Sequence, residues 1–198
     1  RVAYLENRLS ELQKRRDQQR KRRDQGDSPL VAIVGYTNAG KSTLLNALTG
    51  SDVLVENKLF ATLDTRSRRM PIDIGEEIVL TDTVGFIRNL PAELLKAFES
   101  TLEELFEADL LLHVIDVSNP AWRQQVEVVE SLLAELELDD IPCLPVFNKI
   151  DRVGDDAEQA ECETRLKAQY PECLIVSARR SEDVSRLRAR NGSGEMVP

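Results

Sequence analysis

A short apolar run that leads into a glycine-rich loop constrains the fold of this chain more than any other feature. Residues 30–34 read Leu-Val-Ala-Ile-Val, and residues 35–42 continue Gly-Tyr-Thr-Asn-Ala-Gly-Lys-Ser. This order is typical of a buried strand, a tight turn and the start of a helix, the arrangement called a P-loop. Because the loop joins a strand to a helix that packs on the same sheet, the feature predicts an α/β fold.

The backbone and side chains of this loop suit a nucleoside triphosphate. The glycines let the chain curl so that consecutive N–H groups point inward at an anion, and the dipole of the following helix favours the same negative charge. Lys41 would reach the β- and γ-phosphates, and the hydroxyl of Ser42 would bind Mg²⁺. An ordinary glycine turn between a strand and a helix is the alternative. The residues expected at the phosphates are Gly35, Asn38, Ala39, Gly40, Lys41, Ser42 and Thr43.

Residues 148–151, Asn-Lys-Ile-Asp, indicate which base is bound. They follow the apolar run 143–147, so they lie at the carboxyl end of a strand, where open α/β sheets bind ligands. The Asp151 carboxylate can accept hydrogen bonds from N1–H and the 2-amino group of guanine, whereas adenine would leave that charge facing a lone pair. Asn148 would hold the purine edge, and the aliphatic stem of Lys149 would cover the ring. The motif therefore predicts a guanine nucleotide.

Residues 82–85, Asp-Thr-Val-Gly, end another predicted strand and match the pattern that senses the γ-phosphate. Asp82 would hold Mg²⁺, usually through water, and the Gly85 N–H would contact the γ-phosphate. Between the P-loop and Asp82, one of two threonines should close over Mg²⁺ when the γ-phosphate is present. We favour Thr62 over Thr65 for this position.

A third loop completes the predicted site. Ser177 and Ala178 follow the apolar run 173–176, and their backbone N–H groups would face guanine O6. These two residues are too short a motif to indicate guanine binding without the other motifs. The predicted catalytic residues are Lys41, Thr62 and Gly85, and the predicted metal ligands are Ser42, Thr62 and Asp82.

Two stretches around the predicted switches carry a family resemblance. Residues 57–64 read Asn-Lys-Leu-Phe-Ala-Thr-Leu-Asp, residues 82–87 read Asp-Thr-Val-Gly-Phe-Ile, and Leu90-Pro91 follows. On these residues and the motifs above, the chain resembles the G domain of translation-factor-type P-loop GTPases, and among them the HflX family. The resemblance covers roughly residues 30–178.

The resemblance implies a switch that binds GTP or GDP with Mg²⁺, hydrolyses GTP, binds the large ribosomal subunit and splits or rescues stalled ribosomes. HflX proteins also have a nucleotide-binding-like N-terminal domain. Because that domain is missing here and the chain begins at Arg1 rather than methionine, we expect the chain to be a fragment.

Phe86 stands where Ras-like GTPases place the glutamine that orients the attacking water. Phenylalanine cannot orient water, so we expect slow intrinsic hydrolysis that a partner stimulates. Two interpretations stay open, an apolar residue packed under the second switch or a side chain that gates water directly. Phe86 also permits an alternative function, a GTP-gated RNA- or protein-binding module with negligible hydrolysis. An ATP-dependent kinase or ATPase would require Asp151 to tolerate adenine.

The order of the predicted elements gives the fold class. We expect a P-loop NTPase G domain over residues 30–190, with a six-stranded, mostly parallel sheet, one antiparallel edge strand and helices on both faces. The antiparallel edge comes from a hairpin of residues 68–72 and 78–81. Only Val184 and Leu187 give the last helix an apolar face, so we expect it to be short or frayed and to brace the Ser177 loop less well.

The ends of the chain differ from this domain in composition. Residues 1–25 are expected to form a basic helical arm, residues 26–29 (Gly-Asp-Ser-Pro) a linker, and residues 191–198 a disordered tail. The whole chain has a net charge of −9, but its first 24 residues carry an excess of +5, which leaves −14 on the remainder. Any contact with rRNA would therefore be made by the arm, the alternative being a solvated helix end.

Cysteine and apolar patterns bear on the cellular compartment. The cysteines do not have metal-ligand spacing, which indicates a reducing compartment and no zinc site. The sequence contains no signal peptide and no apolar span long enough to cross a membrane, so we expect a cytoplasmic protein. The three cysteines are Cys143, Cys162 and Cys173.

Three other residues have structural predictions. His113 is the single histidine and lies inside the apolar run 110–115, which predicts a core residue rather than a general base or metal ligand. Asp116 ends that run and is expected to cap the next turn. Trp122 begins a predicted helix and is expected to anchor its packing.

Overall fold

A computed structural model of the chain describes residues 28–50, 66–73, 76–82 and 105–191. The predicted basic arm, residues 192–198 of the predicted tail, the predicted switch stretch 57–64 and residues 83–87 of the second stretch lie outside these residues. Asn191, expected in the tail, is instead the last residue of the final helix. Thr62, Gly85 and Phe86 therefore stay predictions from sequence.

Six strands form one sheet in the order β2-β3-β1-β4-β5-β6. β2 pairs antiparallel with β3, and the other neighbouring pairs are parallel. This arrangement confirms the predicted mostly parallel sheet with one antiparallel edge strand. The strands are β1 (Leu30–Val34), β2 (Arg66–Asp73), β3 (Glu76–Asp82), β4 (Leu110–Asp116), β5 (Cys143–Asn148) and β6 (Leu174–Ile175).

Helices cover both faces of this sheet, as predicted. The first and last described helices share one apolar cluster with the sheet, and the two between them pack in clusters on the opposite face. The helices are α1 (Lys41–Thr49), α2 (Trp122–Glu135), α3 (Asp156–Gln169) and α4 (Ser181–Asn191).

The central strand β1 is apolar along its whole length because it is buried on both faces. Val31 and Ile33 pack in the cluster that contains α1 and α4. Ala32 and Val34 point the other way, into the cluster under α2. Parallel strands between two helical layers read as continuous apolar runs for this reason. The loop after β1 is thus tied to a core whose large side chains each contribute about 2 kcal/mol.

An aromatic cluster fixes the end of β5. The Phe147 ring is fully buried, 5.4 Å from the Trp122 ring in an edge-on contact and 5.2 Å from the Tyr170 ring. This confirms Trp122 as a packing anchor. Because Phe147 directly precedes Asn148, packing beneath the strand sets the position of the loop that follows it.

The last two helices differ from the sequence expectation. α3 begins with a capping box, in which Asp155 accepts from the N–H groups of Ala157 and Glu158 while Glu158 accepts from the Asp155 N–H. The sequence analysis did not identify this helix. α4 was expected to be short or frayed, but it runs for 11 residues, an average length. Val184 and Leu187 suffice because both are buried in the core beside α1.

Within the described residues, no helix combines the length and the apolar composition that crossing a lipid bilayer requires.

Candidate nucleotide site

The predicted site residues that the structure describes gather at one edge of the sheet. Parallel strands β1, β3 and β5 all end there, because β1 lies between β3 and β4 and β5 follows β4. Asp82 is aligned with Ile33 near the end of β1, and Asn148 is aligned with Asp116 at the end of β4. This edge is where open α/β sheets bind ligands.

The glycines of the P-loop are required by close approach as well as by backbone conformation. Gly35 (φ +149°) lies so near the Val114 carbonyl that a Cβ there would overlap its oxygen. Gly40 (φ +100°) packs in the same way against Nδ2 of Asn148. Asn38 takes the left-handed conformation (φ +61°), which asparagine tolerates better than most residues. The P-loop is therefore closely packed against β4 and against the loop that follows β5, called the β5 loop below.

Lys41 folds back over the P-loop. Its Nζ donates to the carbonyl oxygens of Gly35 (3.1 Å) and Tyr36 (3.2 Å), and the residue is 7% exposed. Burial lowers the pKa of Lys41 to about 8, and the nearby Asp82 carboxylate opposes that shift. An anion bound in the loop would stabilise the charged form of Lys41 in the same way as the Asp82 carboxylate does.

Ser42 and Asp82 meet at the start of α1. The Ser42 hydroxyl donates to Oδ2 of Asp82 over 2.5 Å, and Asp82 is fully buried. A hydroxyl and a carboxylate are hard oxygen donors, which fits Mg²⁺. Among the described residues, no group of three or more acidic, histidine or cysteine side chains could hold a metal by itself. Mg²⁺ here would need oxygen ligands from a bound nucleotide as well.

Asn148 joins three loops of the site. Its Nδ2 donates to the Ala39 carbonyl (3.0 Å), and its Oδ1 accepts from the N–H groups of Lys149 (2.8 Å) and Ala178 (3.1 Å). The side chain is 1% exposed, so these hydrogen bonds are shielded from water. Through this one residue the P-loop, the β5 loop and the loop before α4 are held together.

Lys149 lies across the P-loop in a left-handed conformation (φ +65°). Its Nζ donates to the Asn38 carbonyl (2.6 Å) and forms an ion pair with Oδ2 of Asp116 (2.7 Å). The other Asp116 oxygen accepts from the N–H and hydroxyl of Ser118, which confirms the predicted turn cap. Sequence analysis missed the ion pair, although the position of Asp116 at the end of a neighbouring strand was a usable signal.

Asp151, the predicted guanine-binding carboxylate, is partly exposed in a 3-10 turn (Ile150–Arg152). The turn is held by the buried Ile150 and by hydrogen bonds from the Arg152 and Val153 N–H groups to preceding carbonyls. The backbone that carries Asp151 is therefore held in place directly after Asn148 and Lys149 in the chain.

The Ser177–Ala178 loop makes two hydrogen bonds that the sequence analysis did not predict. Both N–H groups expected at guanine O6 already have protein acceptors, since Ser177 donates to Oδ2 of Asp183 (2.8 Å) and Ala178 donates to Asn148. Guanine O6 would have to share or replace the acceptor at Ala178. Asp183 was not identified from the sequence, and only its place in the first turn of a helix could have pointed to it.

Comparison with known proteins agrees with this geometry. The family model described as "50S ribosome-binding GTPase" matches residues 30–149. GTPase HflX of Caldanaerobacter subterraneus subsp. tengcongensis is 57% identical over 151 residues, covering 76% of this chain and 35% of that protein. GTPase HflX of Gluconacetobacter diazotrophicus is 47% identical over 188 residues, covering 95% of this chain and 40% of that protein. The chain belongs to this GTPase family, among its HflX members.

HflX membership confirms the resemblance inferred from the switch motifs and the prediction of a GTPase domain that binds guanine nucleotides. The chain spans 35% and 40% of the lengths of these two HflX relatives. Among solved structures, a single-residue variant of Era from Aquifex aeolicus bound to GDP·AlF4⁻ superposes with a TM-score of 0.63 and 28% identity. The match covers 85% of this chain and 59% of that one.

The ion pair between Asp116 and Lys149 should contribute to nucleotide binding. Asp116→Asn keeps the shape of the side chain but removes the charge that holds Lys149 over the P-loop. Because both side chains are 14% exposed, we expect GDP affinity to fall by about tenfold. Isothermal titration calorimetry with GDP measures the effect.

Asp109→Asn is the matched control for this substitution. Asp109 precedes the other end of β4 and accepts from the Leu30 N–H (2.9 Å), away from the predicted site. It should affect stability and leave GDP affinity unchanged. Equal losses of affinity in the two variants would contradict a specific role for the ion pair.

Proposed function

We propose that this chain is a Mg²⁺-dependent GTP switch that hydrolyses GTP slowly by itself and faster on the large ribosomal subunit. The observation that carries the proposal is that residues predicted to bind phosphate, metal and guanine converge on one sheet edge. The Ser42–Asp82 contact (2.5 Å) and the Asn148–Ala39 contact (3.0 Å) join motifs that are far apart in sequence. A structural role alone would not require this particular set of side chains at the end of a parallel sheet.

The phosphate half of the site is supplied by α1 and the loop before it. The N-terminus of α1 presents backbone N–H groups and the positive end of its dipole. Lys41 would exchange its two carbonyl acceptors for phosphate oxygens and would stabilise charge that develops on the transferred group. Ser42, Asp82 and the predicted Thr62 would hold Mg²⁺, which supplies charge neutralisation at the phosphate oxygens.

The guanine half is supplied by the loops after β5 and β6. Asp151 would accept from N1–H and the 2-amino group, and Lys149 would cover the ring while it remains paired with Asp116. Asn148 would keep both loops at the correct distance from the P-loop. Since adenine cannot satisfy the carboxylate, this half selects GTP over ATP.

Intrinsic GTP hydrolysis should be slow because of one residue in the second predicted switch stretch, residues 82–87. Phe86 occupies the position of a water-orienting glutamine, so the chain lacks a side chain there that could direct the attacking water. Gly85 would report the γ-phosphate through its backbone N–H. A partner is then needed to orient water, and the family description "50S ribosome-binding GTPase" supports the large ribosomal subunit as that partner.

The proposal extends to the rest of the protein in the cell. Residues 30–190 act as the G domain, and the basic arm of residues 1–25 contacts rRNA phosphates. The protein splits or rescues stalled ribosomes, as the resemblance to HflX proteins implies, and its cysteine pattern supports a cytoplasmic location.

GTP turnover with Mg²⁺, measured with and without purified large ribosomal subunits, tests this function. We expect a basal rate on the order of 10⁻⁴ per second and clear stimulation by the subunits. Asp82→Ala should abolish both rates and so exclude contaminating enzymes. If tight GTP binding occurs with negligible turnover under every condition, the chain is instead a GTP-gated binding module. Equal competition by ATP would contradict guanine selectivity.

A further inference from the structure

A buried carboxylate outside the predicted motifs contacts the Ser177–Ala178 loop, which is predicted to bind guanine O6. Asp183 lies in the first turn of α4, is 4% exposed, and accepts from the Ser177 N–H over 2.8 Å. Ser177 is 1% exposed, so this hydrogen bond is shielded from solvent. A carboxylate that accepts from a backbone N–H at this distance makes one of the stronger hydrogen bonds in proteins.

The loop that Asp183 contacts is also held by the Arg180 side chain, which donates to Oε1 of Gln159 in α3 (3.0 Å), and by hydrogen bonds of its own backbone N–H groups. The Arg179 and Arg180 N–H groups donate back to Ser177, to its hydroxyl (3.2 Å) and its carbonyl (3.0 Å), so these bonds are local. The Ala178 N–H reaches across to Asn148. Of these four consecutive N–H groups, two reach beyond the loop. The Ala178 N–H connects the loop to Asn148 at the end of β5, and the Ser177 N–H connects it to Asp183 in α4.

The contact with Ser177 explains the burial of Asp183 better than the helix dipole does. Glu182, its neighbour in the same first turn, is exposed and already places a negative charge where the dipole favours one. Burying a second carboxylate is costly unless hydrogen bonds compensate. Val184 and Leu187 pack in the core, so the helix that carries the Asp183 carboxylate is fixed in place.

We propose that Asp183 is a positioning residue for guanine recognition, which acts from α4 through the Ser177 N–H to keep the Ala178 N–H where guanine O6 is bound. This inference rests on the proposed function and adds a specificity residue to it. Asp183 lies beyond residues 30–149, the part of the chain that the family model matches. Base selection therefore depends in part on the last helix.

Base analogues that differ at one edge of guanine test the proposal. Affinities of the full chain and its variants are measured for GDP, for 6-thio-GDP, which replaces O6 by a weaker acceptor, and for IDP, which lacks the 2-amino group. Asp183→Ala should reduce the preference for GDP over 6-thio-GDP by about fivefold or more. The preference for GDP over IDP should be unchanged, because it depends on Asp151.

Two further variants separate positioning from a purely structural role. Asp183→Asn keeps an oxygen acceptor and should restore most of the preference for GDP over 6-thio-GDP. Glu182→Ala removes a charge from the same turn and should change neither preference. Thermal unfolding followed by circular dichroism shows whether each variant is folded. If Asp183→Ala is not, Asp183→Leu, which has a similar shape but no hydrogen-bond acceptor, should show the same loss of preference for GDP over 6-thio-GDP.

The outcomes also separate this inference from the proposed function. If both preferences fall together in Asp183→Ala, or if neither changes, Asp183 does not position the O6 contact and the inference is overturned. If the unsubstituted chain fails to prefer GDP over ADP, the proposed function itself is wrong, and the inference falls with it.

Discussion

Replacing Gly40 with alanine should weaken GDP binding by about 100-fold or more, because several effects act at one position. Gly40 has φ +100°, a conformation that costs other residues about 1–2 kcal/mol. In addition, the new Cβ would overlap Nδ2 of Asn148. Titration of GDP into the variant, followed by calorimetry, measures the loss.

The overlap matters because Asn148 has no room to move without losing hydrogen bonds. A shift of its side chain would break the contact with the Ala39 carbonyl (3.0 Å) and strain the contact with the Ala178 N–H (3.1 Å). Each buried polar group left unsatisfied costs about 1–3 kcal/mol. The substitution should thus disturb both the P-loop and the Ser177–Ala178 loop, so that the phosphate half and the guanine half of the site both lose their geometry.

Gly50 provides the matched control for Gly40. It also has a left-handed conformation (φ +68°), at the end of α1, but a Cβ there would meet nothing within 4 Å. Gly50→Ala should therefore lower stability by about 1 kcal/mol and leave GDP affinity unchanged. If Gly40→Ala bound GDP as tightly as Gly50→Ala does, close packing of the P-loop against Asn148 would not be needed for binding.

The elements that sequence predicted well are those whose signal is local. β1, most of β4 and the end of β5 are buried in the sheet, which requires the mainly apolar runs that are visible in the sequence. The glycines of the P-loop are a local signal as well, because the turn itself requires backbone conformations that glycine adopts easily. His113 was correctly predicted as a core residue because it lies inside such a run.

α3 was missed because its signal is weaker. Its buried positions are Gln159, Cys162 and Leu166, a sparse stripe that includes an amide and a thiol. The capping box at Asp155 and Glu158 was a readable indication of a helix start, independent of the apolar pattern. Here the local polar signal was more informative than hydrophobic periodicity.

The contacts that join the loops of the site could not be predicted from sequence. The ion pair of Asp116 with Lys149 and the hydrogen bond of Ser177 to Asp183 connect residues on different elements. No period or motif spacing encodes such contacts, because they depend on how the elements pack. The motif residues indicated what the site would bind, and tertiary packing decides which neighbours hold those residues in place.

A buried neutral histidine should make this fold sensitive to acid. His113, the single histidine of the chain, is 4% exposed in β4, between Val34 of β1 and Pro145 of β5. Burial and then the positive charge of Lys41 lower the pKa of His113 from 6.5 to about 4. Between these two values the unfolded chain binds a proton that the folded chain does not, so the free energy of unfolding decreases as pH falls.

The stabilisation due to neutral His113 is complete above about pH 6.5, and about 3 kcal/mol of it should be lost by pH 4. Many carboxylates titrate in the same range, so the test compares urea unfolding of the unsubstituted chain and His113→Phe at each pH. The free energy of unfolding should fall more steeply in the unsubstituted chain. The pKa itself is measurable by NMR, since one histidine gives one Cε1–H resonance. Parallel pH profiles for the two proteins, or a titration near pH 6.5 in the folded state, would mean that His113 is not buried as a neutral group.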